Sequence, residues 1–147
     1  MNLPYVLKRI CFLVPALCLA HGELKPGPNG GEIRMPGAFH VEVVASSVAV
    51  DVYLLDMQFE NPQVTNSSID VTLHRDGEQL ALECQVANGK KMFKCLLPND
   101  EELGAGRLLV NATRGGPPAE PMHYELPLKW SDTAPVSEQA VSRAIRP

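Results

Sequence analysis

The chain has 147 residues, with 13 Lys and Arg against 17 Asp and Glu, a formal charge of −4 and no basic stripe. That balance argues against nucleic acid or an anionic membrane surface as a partner. The length suits one domain with a single core and is short for two.

Residues 1–20 place Lys8 and Arg9 ahead of an apolar run from Ile10 to Leu19 and a small residue, Ala20. This is the layout of a cleaved secretory signal, and the run is about half of the roughly 20 residues a spanning helix needs. Cutting after Ala20 leaves 127 residues, removes only Lys8 and Arg9 among the charged residues, and moves the formal charge to −6. His21 then becomes the N-terminus of an exported, periplasmic protein with no membrane span. Cys11 and Cys18 leave with the signal. Cys84 and Cys95 remain, an even pair that in an oxidising compartment reads as a disulfide.

Residues 21–37 form a Gly/Pro-rich arm in which Pro26-Gly27-Pro28-Asn29-Gly30-Gly31 sustains neither a helix nor a central strand. Period-two alternation follows at 48–55, 69–74, 80–86 and 123–130, with weaker strands at 39–44, 91–97 and 107–112. About seven short strands, separated by turns such as Asn61-Pro62, Asp76-Gly77 and Asn88-Gly89, predict an all-β, immunoglobulin-like antiparallel β-sandwich over 38–130. Pro127 in the last strand marks an edge. A four-residue loop, 88–91, sets Cys84 directly opposite Cys95, whereas a two-residue turn sets them diagonally; the longer loop is favoured. Residues 131–147 are polar and aperiodic, a flexible tail.

No nucleophile motif, phosphate-binding glycine loop or close carboxylate pair beside a histidine occurs, so the chain reads as a non-enzymatic protein. The remaining chemistry lies in His21, His40, His74 and His123 with the methionines. An N-terminal histidine offers its α-amine and ring Nδ1 as a chelate. A second imidazole, His40 or His123, and a soft thioether, Met35 or Met122, complete a donor set that suits copper in its two oxidation states. Glu23, Glu32 and Glu42 are either oxygen ligands, an outer shell that orients an imidazole, or solvated surface charge. His74, beside Arg75 and Asp76, reads as surface.

The stretches "HGELKPGPNGGEIRMPGAFHVEVV" and "VAVDVYLLDMQFENP" resemble a group of small exported bacterial proteins. Those open with H-G-E, continue through G-P-H-G-G and M-P-G-x-F-H-x-E, and then give a V-Y-L-L-D strand. The turn also resembles metal-associated segments of periplasmic heavy-metal efflux adaptors. The architecture is similar to copper-carrying periplasmic sandwiches whose first residue is a copper-binding histidine. The resemblance implies copper capture or delivery in metal homeostasis or resistance, and carries over to His21, Met35 and His40. Its histidine in the turn is Asn29 here. The alternative is a metal-free immunoglobulin-like interaction module, accessory to an envelope or efflux complex. An oxidative copper enzyme is disfavoured because Trp130, Tyr53 and Tyr124 give the mature chain little aromatic surface for a substrate.

Overall fold

A computed structural model describes residues 25–116 and 118–130. The expected export signal, His21 and the tail 131–147 lie outside the described residues. Among the described residues, nine strands run in chain order: β1 Glu32–Arg34, β2 His40–Ala45, β3 Ala49–Leu55, β4 Ser67–Arg75, β5 Glu78–Ala81, β6 Glu83–Ala87, β7 Met92–Leu96, β8 Gly106–Arg114 and β9 Met122–Leu126. They form a five-stranded sheet, β1-β2-β3-β7-β6, and a four-stranded sheet, β5-β4-β8-β9. Every pairing is antiparallel. Naming β2 to β9 as strands A, B, C, C′, D, E, F and G gives A-B-E-D facing C′-C-F-G, the immunoglobulin-like order.

The alternation read from the sequence builds the core. Val41 and Val43 of β2, Val50 and Val52 of β3 and Phe93 of β7 meet Val71 and Leu73 of β4, Leu108 and Val110 of β8 and Tyr124 of β9 in one buried cluster. Each such aliphatic or aromatic side chain contributes about 1.5–3 kcal/mol on burial. The exposed Arg107–Glu125 pair across β8 and β9 (2.6 Å) adds at most about 1 kcal/mol by comparison.

Nine strands stand where seven were expected, for two reasons. The run 80–86 divides: β5 pairs with β4, β6 pairs with β7, and only Leu82 lies between them. Leu82 is buried in the core and donates its N–H to the Val71 carbonyl (2.9 Å), so the chain changes sheets without interrupting the apolar period. The second addition is β1, which pairs with β2 inside the stretch read as an irregular arm. The sandwich therefore begins at Glu32, ahead of residue 38.

The hairpin holds as expected. The loop between β6 and β7 is 88–91, Gln85 faces Lys94, and Cys84 lies opposite Cys95, to which it is disulfide-bonded. This bridge joins neighbours within one sheet, unlike the inter-sheet bridge between strands B and F in antibody domains. The edge strand β9 ends one residue before Pro127. Among the described residues, no helix is long and apolar enough to cross a membrane.

Candidate metal centre

The second face of β2 departs from simple alternation. His40 and Glu42 point away from the core, yet they are 4% and 0% exposed, and their cross-strand neighbours Leu55 and Ile33 are buried with them. Two pieces of backbone cover this face, the arm and the loop after β3.

The arm closes as a turn, with Gly30 donating to the Gly27 carbonyl and Gly27 donating to the Gly31 carbonyl, both at 2.9 Å. Its inner side is held by Glu42. Oε1 accepts the backbone N–H groups of Asn29 and Gly31, and Oε2 accepts the Asn29 side-chain amide, each at 2.8 Å. A side chain on Gly27 would meet the Glu42 carboxyl carbon at 2.5 Å. Glycine is needed there for close approach. Asn29, which stands where the resembling proteins have histidine, is thus a structural donor to a buried carboxylate.

The loop after β3 is organised by Asp56. Its carboxylate accepts the N–H groups of Gln58 (3.0 Å) and Glu60 (2.9 Å) and the Asn61 side-chain amide (2.6 Å), while Phe59 and Asn61 take positive φ. Arg114 of β8 braces the loop by donating to the carbonyls of Leu54 and Asn61. The product is a fixed wall beside His40: the Phe59 ring stacks on the imidazole at 4.0 Å, and Nδ1 of His40 lies 3.0 Å from the Asp56 carbonyl. A carbonyl only accepts, so Nδ1 carries the hydrogen, and in the neutral ring Nε2 keeps its lone pair. A metal-binding histidine is commonly oriented by such a contact.

The hydrogen bonds from Glu60, first, and Asn61, second, hold the Asp56 carboxyl below its usual 3.8. A depressed value means that the loop's stabilisation is complete above the ordinary pKa and is lost as pH falls through the lower folded one. Acid titration is therefore expected to free the amides of Gln58 and Glu60 below pH 3.8 and loosen the His40–Phe59 stack before the core responds. Amide resonances of this loop that shift with a midpoint at or above pH 3.8 would refute this account of Asp56.

Comparison with family models, curated proteins and solved structures gave no match.

Met35 is 59% exposed and follows β1 directly. Arg34 pairs with Val41 at the end of the β1–β2 ladder, so Met35 and His40 are the residues that flank its last pair. Arg34 also reaches the four-stranded sheet, with its Nε 3.4 Å from the His123 carbonyl and its guanidinium 5.3 Å from the Tyr124 ring. His40 and His123 nevertheless face opposite ways, His40 on the outer face of the five-stranded sheet and His123 on the outer face of the four-stranded one, so the fold does not bring their side chains together. Met122 joins neither. Successive residues of β9 face opposite sides, so His123 is exposed while Met122 is in the core, its sulfur 3.8 Å from the Tyr124 hydroxyl. Of the pair Met122-His123, only His123 offers an exposed donor. The phase of Met122 with Tyr124, Leu126 and Leu128 is the sequence signal for that.

His74 is half-buried on the outer face of the four-stranded sheet, with Nε2 unpartnered among the described residues. Glu32 is buried, bonded to Arg34 (2.5 Å) and accepting from the Lys129 N–H (3.2 Å), and is used in structure. Among the described residues, no group of three or more His, Cys, Asp or Glu side chains is arranged to hold a metal. The donors present, the His40 imidazole and the Met35 thioether, are of the types that suit copper.

Proposed function

We propose that this is an exported metal-binding protein that captures or delivers copper in the periplasm, in metal homeostasis or resistance. The observation that carries the reading is His40, whose Nδ1 is committed to the Asp56 carbonyl and whose Nε2 is left as a donor. Met35, which flanks the same end of the β1–β2 ladder, would supply a soft sulfur. His21, once freed by cleavage after Ala20, supplies amine and imidazole nitrogen. Bound copper would be held by nitrogen as Cu(II) and gain from the thioether as Cu(I). The protein's own part is to fix the imidazole ring and limit the arm. Cys84–Cys95 agrees with an oxidising compartment.

The purified mature chain is expected to bind about one equivalent of copper, in keeping with one donor set of this kind, and His21→Ala to remove most of that binding. Full affinity in that variant rules out the N-terminal chelate. Untagged wild-type protein that carries no stoichiometric metal but retains an envelope or efflux partner in a pull-down supports the interaction module instead. Intact mass of the exported protein fixes whether His21 is first.

A further inference from the structure

We propose that the free edge of β6 pairs with the same edge of a second copy of this chain, strand against strand, about a two-fold axis at Gln85. The inference is independent of the metal reading above.

The two sheets end in four edge strands, β1, β6, β5 and β9. Three of them carry an obstacle to further pairing: β1 is three residues long, β5 leaves its sheet at Leu82, and β9 stops before Pro127 with Arg34 on its His123 carbonyl. By contrast, β6 runs from Glu83 to Ala87 in unbroken register with β7, without bulge, proline or lysine, and is bridged to it at Cys84. Edges are ordinarily blunted by such devices, and a regular edge that lacks them is a template for another strand.

The direction of the backbone groups follows from the bridge. Opposite residues of an antiparallel ladder alternate between pairs that exchange hydrogen bonds, with Cα atoms about 5.5 Å apart, and pairs that do not, at about 4.5 Å. Cys84 and Cys95 stand opposite each other with Cα atoms 4.0 Å apart, so they are a pair of the second kind. By the same alternation Val86 is not bonded to Phe93, whereas Glu83, Gln85 and Ala87 spend their backbone groups on β7. The N–H and C=O groups of Cys84 and Val86 therefore point to the side where no strand lies among the described residues. One antiparallel register satisfies all of them between two copies: Cys84 of each opposite Val86 of the other.

The side chains suit that register. Val86 is 48% exposed although it shares a face with the core residue Phe93, and the second copy would set Cys84 beside it on that face. Glu83 falls opposite Ala87, so no like charges meet. The antiparallel order also carries the exposed Lys90 and Lys91, at the loop end of one copy, toward the exposed Glu83 of the other.

The test is sedimentation of the full chain across a wide range of concentration, with amide exchange measured at both ends of it. A reversible monomer–dimer equilibrium is expected, in which the Cys84 and Val86 amides exchange as free groups when dilute and become protected in the dimer. Val86→Lys places a charge on the inner side of the edge, and Val86→Pro removes an outward N–H without removing a bond to β7. Each is expected to abolish the dimer and to keep a cooperative melt, and they act by different routes, so one that does not fold leaves the other as the test. A chain that is monomeric at every concentration overturns the proposal. So does a dimer in which Cys84 and Val86 stay unprotected, or one that a folded Val86 variant leaves intact, since another surface is then in use. A monomer whose β6 edge is protected only by a different protein overturns it as well, because the occupant is then not a second copy.

Discussion

Tyr124→Ala is expected to lower the free energy of unfolding by about 3–5 kcal/mol, the cost of removing a large aromatic from a packed core. The reason is position as much as size. Tyr124 is 0% exposed on β9, an edge strand, and its hydroxyl donates to the Val41 carbonyl of the opposite sheet at 3.1 Å. One side chain thus fills the core and ties the two sheets. Tyr124→Phe separates these roles and is expected to cost about 1–2 kcal/mol, the range for losing a buried hydrogen bond. Burial holds the phenol well above its ordinary value of 10.0. A raised folded pKa means that stability is complete below pH 10 and declines as pH rises further, since the unfolded chain releases the proton first. Denaturant unfolding at neutral and alkaline pH, with phenolate absorbance, measures all three. A loss under about 1 kcal/mol for Tyr124→Ala contradicts its placement at the centre of the fold.

Removing the Cys84–Cys95 bridge, by reduction or by replacing both residues with alanine, is expected to cost about 2–3 kcal/mol on the chain-entropy argument for so short a loop. The separation is 11 residues, which keeps the figure at the lower end. The local effect is larger than the global one. β6 is an edge strand paired only with β7, and Glu83, Gln85 and Val86 are exposed. Faster amide exchange should therefore be confined to β6 and the loop 88–91 and spare the central β4–β8 pair. Equal melting of the oxidised and reduced proteins would remove the staple from the account.

The fold was largely legible because a half-buried strand writes itself with period two. Ile69, Val71 and Leu73 are buried as alternation requires, and the Asn88-Gly89 turn placed the cysteines in register. Two strands escaped for opposite reasons. Leu82 keeps the apolar phase while the chain changes sheets, so β5 and β6 look like one strand. β1 is three residues long and has no period to detect. The candidate centre was legible in its residue types and less so in its roles. Glu42 is out of phase with Val41 and Val43 and so resembles surface; only a turn that returns from residues 27–31 buries it, and local pattern cannot report such a contact. The wall beside His40 is likewise made by Phe59 and Asp56, nineteen and sixteen residues further on.

The crossing at Leu82 also makes the two sides of the sandwich unequal. Along β5 and β6 the sheets are bound like a book at its spine, by continuous chain, with the disulfide just inside it. Along β1 and β9 they meet at a fore-edge held by hydrogen bonds, among them Arg34 on the His123 carbonyl, the Lys129 N–H on Glu32, the Glu120 N–H on the Pro36 carbonyl and the Tyr124 hydroxyl on the Val41 carbonyl. His40, on β2, therefore sits one strand in from the side where the sheets are joined by hydrogen bonds and not by continuous chain.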